Sequence, residues 1–308
     1  MRNSKNAALN ELALVEYFKK VFIRKRSLIA KGIGDDAAVI AVGKNKRLLF
    51  TCDMLIEGRH FRKSDSAFDV GWKAMACSLS DIAAMGGEPF AVLVSLGLPK
   101  KWRFSQVASL ARGIKRAADR FSVAVIGGDT NASDKLIVDI AMIGFARPDQ
   151  LLFRSTAKKG DFIFVTGRLG GSIYKRHLRF HPRVREARFL QENFAVHSMI
   201  DISDGLVIDL SRIAKASNVG AALFQQCIPV HKDARNFDEA LYMGEDFELL
   251  FTTGEKQATL LLDMIEKKKI GFPVSFIGMI IDEKNKIYLM DSDKKQITAL
   301  PPEGFLHF

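Results

Sequence analysis

Two periods of apolar residues alternate along the first half of the chain, one of strand type and one of helical type. Residues 48–52 and 91–98 are short apolar runs of strand length, and the second stops at Pro99. Between them, residues 67–85 place Val70, Ala74, Cys77 or Leu79, Ile82 and Met85 at helical spacing, facing a core. Residues 102–121 repeat that spacing through Val107, Leu110, Ile114 and Ala118. A short buried strand is predicted over 123–126, ending at Gly127-Gly128, and another over 136–145. The stretch 147–159, with Pro148 and a polar run from Ser155, predicts a junction between two domains, 1–147 and 148–308. The second half restarts with a strand over 162–165 and a helix from Asp204-Gly205 to about Ser217. Strands over 247–252 and 274–281 flank a helix over 257–268, and 286–290 is placed as a partner of 274–281. The expected fold class is α+β, two mixed α/β domains of related design.

Composition narrows this little. With 308 residues, 48% of them hydrophobic, the chain can bury a full core. Lys, Arg or Asp interrupts every apolar run before it reaches membrane-spanning length, residues 1–10 are polar, and three cysteines make no disulfide framework. A cytoplasmic protein is expected. The formal net charge of +11 is dispersed, with short clusters at Arg24-Lys25-Arg26 and Lys267-Lys268-Lys269. That pattern predicts a basic surface attracting phosphorylated substrates, and neither a nucleic-acid nor a membrane partner.

The candidate chemistry lies in nine carboxylates held in short, mostly glycine-flanked motifs. They are Gly34-Asp35-Asp36, Thr51-Cys52-Asp53, Ser80-Asp81, Gly127-Gly128-Asp129-Thr130, Asp201-Ile202-Ser203-Asp204-Gly205 and Gly244-Glu245-Asp246. Hard oxygen ligands brought together suit Mg²⁺, which holds and transfers polyphosphate. Asp81 is the most diagnostic, since Ala83-Ala84-Met85-Gly86-Gly87 beside it leaves little room for a wet helix face. Each motif has a structural alternative: a turn at Gly34, a hairpin at Gly127-Gly128, an N-cap at Ser203 or Asp204. There is no G-x-x-x-x-G-K-[ST] loop, no HRD or DFG signature and no H-E-x-x-H. His177 and His181 read as a structural loop, and Cys52 has no neighbouring base. A phosphoryl-transfer enzyme is expected.

In this order the motifs resemble the aminoimidazole-ribonucleotide synthetase-like superfamily of ATP-dependent enzymes over nearly the whole chain. The runs Glu57-Gly58-Arg59-His60-Phe61, His177-Leu178-Arg179 with Pro182-Arg183, Gly244-Glu245-Asp246-Phe247-Glu248-Leu249 and Gly304-Phe305-Leu306-His307-Phe308 resemble its thiamine-monophosphate kinase family. That resemblance implies ATP-dependent phosphorylation of thiamine monophosphate. It implies that Asp36, Asp53, Asp81, Asp129, Asp201 and Asp204 hold several Mg²⁺ ions with Thr51 assisting, and that Asp53, Asp81 and Asp129 form the catalytic set. Gly128, Asp129, Arg154 and Ser203 would contact ATP, and His60, Glu245 and Phe305 would line the thiamine phosphate site. It also implies a homodimer whose N-terminal strands form a shared barrel. The chain departs from the family pattern at Cys52, Asn131, Gly171 and Met243, and in a shortened segment after Thr166-Gly167. Another ATP-dependent synthetase of the superfamily, or a non-catalytic ATP-binding regulator, is the alternative.

Overall fold

A computed structural model describes residues 11–22 and 26–305; Met1–Asn10, Arg24-Lys25 of the basic cluster and the terminal Leu306-His307-Phe308 lie outside the described residues. A helix α1 (Glu11–Val21) precedes a six-stranded sheet of β1 (Ile29–Lys31), β2 (Ala38–Ala41), β3 (Arg47–Ile56), β4 (Glu88–Pro99), β5 (Ala124–Ser133) and β6 (Ile137–Ala146). Its order is β1-β2-β3-β6-β4-β5, antiparallel except for the β4–β5 pair. Two helices, α2 (Ala67–Ala84) and α3 (Phe104–Phe121), pack together, with α2 against β3 and β6. Their backbones touch: a Cβ on Gly71 would lie 2.2 Å from the Leu110 carbonyl, and one on Gly113 1.9 Å from that of Phe68. Only glycine fits at either position.

The inward face of β3 reads Leu49, Thr51, Asp53, Leu55, so apolar core gives way to polar site along one strand. Its outward face carries Phe50 and Met54, which with Phe90, Leu93, Val125 and Ile126 on β4 and β5 are 44–63% exposed. Because both faces of this sheet are apolar, its strands read as continuous apolar runs rather than alternating ones.

The second sheet has seven strands in the order β13-β12-β9-β11-β7-β10-β8. These are β7 (Phe162–Thr166), β8 (Val196–Asp201), β9 (Gly220–Phe224), β10 (Leu249–Thr253), β11 (Val274–Ile281), β12 (Ile287–Asp291) and β13 (Gln296–Ala299). Ile163, Val165 and Leu250 pack with α5 (Leu206–Ser217) and α6 (Phe237–Tyr242). Phe164 and Phe251, stacked at 5.5 Å, pack with α4 (Val184–Asn193), α7 (Glu255–Glu266) and the end of α2. The C-terminal end of α2 thus joins the core of the second sheet. Among the described residues no helix is long and apolar enough to cross a membrane.

Three expectations are corrected. The strand predicted to end at Gly127-Gly128 instead runs on as β5 through Asp129 to Ser133, with a register shift opposite Val92 and Leu93 that accommodates the extra residue. A Cβ on Gly128 would lie 1.8 Å from the Val94 carbonyl, so here the glycine serves strand approach, not a turn. Asp53 lies inside β3, paired with Ile140, rather than just beyond a strand end. Finally, β12 pairs with β9 and β13, not with the strand over 274–281, because β9, whose small Gly220-Ala221-Ala222 start hides its strand character, intervenes.

Candidate active site

Carboxylates from both halves meet at the polar side of α2. Asp36 comes from the loop before β2, Asp81 from α2 and Asp201 from the end of β8; an oxygen of each lies within 4.8 Å of the others. Hydroxyls hold the group in place. Thr51 Oγ1 donates to Asp81 Oδ2 at 2.5 Å, Ser80 Oγ to Asp201 Oδ2 at 2.7 Å, and Ser78 Oγ to Asp53 Oδ2 at 2.8 Å. Arg154, in a short turn between the sheets, grips Asp36 with Nε and Nη2. Its backbone N–H donates to Asp35, which also meets Lys31 at 2.9 Å.

Burial and mutual repulsion dominate the electrostatics. Burial pushes the Asp81 carboxyl well above the usual range, and Asp53, Asp201 and Asp36 push it further. Asp201 is raised by burial and by Asp36, and Asp53 by burial against the Ser78 hydrogen bond. Gathered acids whose ionised forms all resist one another are stabilised by a cation among them. The donors are all oxygen, which fits Mg²⁺.

Asp204 stands apart from that trio. Arg212 joins it to Asp209, and Asp209 Oδ2 accepts the N–H groups of Asp204 and Gly205 at 3.0 and 3.1 Å. Burial lifts Asp209 to about 7 in spite of Arg212. Gly128 and Asp129 are not brought to the cluster within one chain. The register runs Met54–Asp139–Ser95–Asp129 across β3, β6, β4 and β5, about 14 Å at ordinary strand spacing. Asp129 is exposed on the edge strand, its carboxylate accepting from Thr130 N and Asn131 Nδ2.

A cleft of about 800 Å³ links Asp53, Arg154, Ser203 and Asp204 with His60, Glu245 and Phe305. His60 Nδ1 accepts from the Ile56 N–H at 3.1 Å, which leaves the proton of the neutral ring on Nε2. The His60 and Phe305 rings are 6.4 Å apart, and the Arg59 guanidinium lies 5.3 Å from the Phe305 ring centre. Glu245 is buried. Burial alone would raise its carboxyl, but the Lys73 charge 2.6 Å away, together with His177, outweighs that and holds it below the usual range. His177 and His181 have different neighbours: His177 faces Lys73, while His181 lies against Phe121 and Arg120.

The AIR synthase related protein N-terminal domain matches residues 34–146, and the corresponding C-terminal domain matches 156–290. Thiamine-monophosphate kinase of Rhodopirellula baltica is 37% identical over 302 residues, covering 92% of this chain and 93% of that protein. The chain belongs to the thiamine-monophosphate kinase family. Among solved structures, AaThiL complexed with AMPPCP and TMP is similar with a TM-score of 0.84 and 28% identity, over 99% of this chain and 100% of that one. Escherichia coli HypE, a hydrogenase maturation protein, has a TM-score of 0.71 at 18% identity over 96% and 98% of the two chains, a likeness of fold alone.

Three of the positions that depart from the thiamine-monophosphate kinase family pattern, Met243, Gly171 and Cys52, have local explanations. Met243 caps α6 with ordinary right-handed backbone, so no glycine is required there. Gly244, at φ +72°, would bring a Cβ within 2.8 Å of the Ser203 and Asp204 carbonyls. Gly171, at φ +73°, has its Cβ position 2.5 Å from the Asp233 backbone, which no aspartate could occupy. Cys52 turns away from Thr51 and donates to Asp139 at 3.2 Å; burial first, then that carboxylate, pushes its thiol to about 12. It is no nucleophile. Sequence reasoning missed Ser78, Lys73 and Arg176, and gave Arg183 only as part of a motif, without its partner Glu248. Of these, Lys73 carries a legible signal, a charge within the Val70–Ala74–Cys77 apolar stripe of α2.

Proposed function

We propose that this chain transfers the γ-phosphoryl group of ATP to thiamine monophosphate, giving thiamine diphosphate and ADP. One observation carries the reading: in a chain of this family, a single cleft runs from the region of an all-oxygen carboxylate cluster to an aromatic pocket that holds a buried, ionised glutamate. Asp36, Asp81 and Asp201, with Asp53 and Thr51 beside them and Asp204 at the rim, would hold Mg²⁺. When bound, Mg²⁺ neutralises polyphosphate charge and polarises the phosphoryl group being transferred.

The chain's own groups divide the remaining work. Arg154 and Ser203 border the cleft and meet the nucleotide phosphates. Phe305 offers its ring face to the cationic thiazolium, and Glu245, its charge matched by Lys73, forms a fixed polar part of the same cleft wall. His60 Nε2–H donates to the acceptor phosphate. That phosphate is already ionised at neutral pH, so an in-line attack needs neither a dedicated base nor a covalent enzyme intermediate. We assign residues 1–147 and 148–308 as the two domains; the first sheet ends at Ala146 and the second begins at Phe162.

The same reading includes a homodimer joined through the first sheet in a shared barrel. Its support is the exposed apolar face of Phe50, Met54, Phe90, Leu93 and Ile126, next to the edge of β5 that is unpaired among the described residues. Such an assembly would give Gly128 and Asp129, stranded on that edge, a route into an active site. Ile126→Asp should shift sedimentation from dimer to monomer; an unchanged profile contradicts this interface. For the reaction itself, thiamine diphosphate should form from thiamine monophosphate and ATP with Mg²⁺ and cease when Mg²⁺ is chelated. A folded, ATP-binding protein that forms none refutes the proposal.

A further inference from the structure

Lys73 is a charge without exposed surface, set between the buried Val70 and Ala74 of α2. Its Nζ donates to the His60 carbonyl at 2.7 Å and lies 2.9 Å from His177 Nδ1 and 2.6 Å from Glu245 Oε2. An ammonium has three protons, and here it meets three partners from three separate segments. A buried ion pair is weak evidence of stabilisation, because well-packed apolar residues serve as well or better. Lys73 is instead placed to fix geometry, and two of the groups it touches belong to His60 and Glu245 of the acceptor pocket.

The backbone at Glu245 needs such a hold. Glu245 and Phe247 adopt φ of +60° and +50°, a left-handed conformation costly for residues other than glycine. The shortened segment after Gly167 grips the same run one residue at a time. His177 lies 3.7 Å from Glu245, and Arg176 pairs with Asp246 at 3.0 Å. Phe180 stacks on Phe247 at 4.0 Å, and Arg183 grips both oxygens of Glu248 at 2.7 Å. Lys73 adds a grip from α2, the helix that also carries Asp81. The shortened segment is therefore a strap over the acceptor side, and Lys73 ties that strap to the helix of the carboxylate cluster.

We propose that Lys73 is a positioning residue for the acceptor: it sets the Glu245 carboxylate and His60 relative to each other and to α2. This rests on the kinase reading above. The test is steady-state kinetics of the full chain, varying ATP and thiamine monophosphate separately, for wild type, Lys73→Met, Glu245→Gln and the double variant. Lys73→Met should raise KM for thiamine monophosphate about tenfold or more while KM for ATP stays within about twofold. A purely structural role would not separate the two. Because Lys73 acts through Glu245, the acceptor KM of the double variant should fall short of the product of the single effects.

If Lys73→Met does not fold, the double variant, which buries no lone charge, is compared with Glu245→Gln. Their acceptor KM values should agree within about threefold, and a further loss of about tenfold overturns the proposal. An acceptor KM left unchanged by Lys73→Met, or an equal rise in both KM values, overturns it as well. A wild type that forms no thiamine diphosphate overturns the kinase reading and this inference together. A wild type that forms it beside an unaltered Lys73→Met overturns this inference alone.

Discussion

Two groups of buried acids meet α2 about two turns apart, one at Lys73 and one at Asp81, and they are settled in opposite ways. Glu245 is compensated by the chain itself: Lys73 and His177 hold its carboxyl below the ordinary range although burial opposes them. The Asp36–Asp81–Asp201 cluster is left short of positive charge. Its hydroxyl donors and the Arg154 grip on Asp36 do not prevent Asp81 and Asp201 from being raised, by burial first and by neighbouring carboxylates next. A site completed within the fold needs no ion to settle it. A site left incomplete is one that a metal ion completes, which makes the first a recognition surface and the second a place for polyphosphate.

The sharpest way to break this contrast is to remove compensation where it exists. Glu245→Ala leaves Lys73 buried beside His177 without a counter-charge and should cost about 3–5 kcal/mol in urea unfolding. A loss well under 1 kcal/mol would mean that Lys73 is solvated after all. The pH dependence has opposite signs at the two sites. Glu245, lowered in the fold, contributes stability present above the ordinary glutamate pKa and lost as pH falls through its folded value. Asp81 and Asp201, raised in the fold, contribute stability present below the ordinary aspartate pKa and lost as pH rises through their folded values. Metal competes with those protons, so Mg²⁺ should raise Tm more at pH 8 than at pH 5; at a hundred times its Kd at pH 8 it contributes about 2.7 kcal/mol of stability in all. Equal Tm shifts at both values would contradict the assignment of the cluster.

The smallest expected effect is at Cys52. Its side chain serves Asp139 rather than the cluster, so Cys52→Thr should change stability by no more than about 0.5 kcal/mol and turnover by about twofold at most. A tenfold gain in turnover would place a side chain at this position in the metal site.

Much of this arrangement is legible in sequence. The helical stripe over 67–85 is α2, Ala67–Ala84, and the strand over 274–281 is β11 to the residue, because both follow a single period in a strongly apolar segment. Asp36, Asp81 and Asp201 belong to motifs conspicuous as acids in glycine-rich or apolar surroundings, and the fold brings them together. Pairing is less visible. Gly127-Gly128 has the look of a turn, and only the Val94 carbonyl opposite Gly128 explains why a strand needs glycine there. Lys73 stands out as a charge in an apolar stripe, but its partners are hidden for a related reason: they lie 13, 104 and 172 residues away in sequence, and no local pattern carries contacts of that range.

The central claim is that the carboxylate cluster of Asp36, Asp81 and Asp201 is a metal site serving phosphoryl transfer. The most direct test is Asp81→Asn, assayed for thiamine diphosphate formation and, on the same protein, for Mg²⁺-induced stabilisation at pH 8. The account predicts a fall in kcat of about 10²–10³-fold or more, loss of most of the Mg²⁺-induced rise in Tm, and a metal-free Tm no lower than that of wild type, since one of several repelling carboxylates is gone. Near-normal turnover with an intact Mg²⁺ response would contradict it.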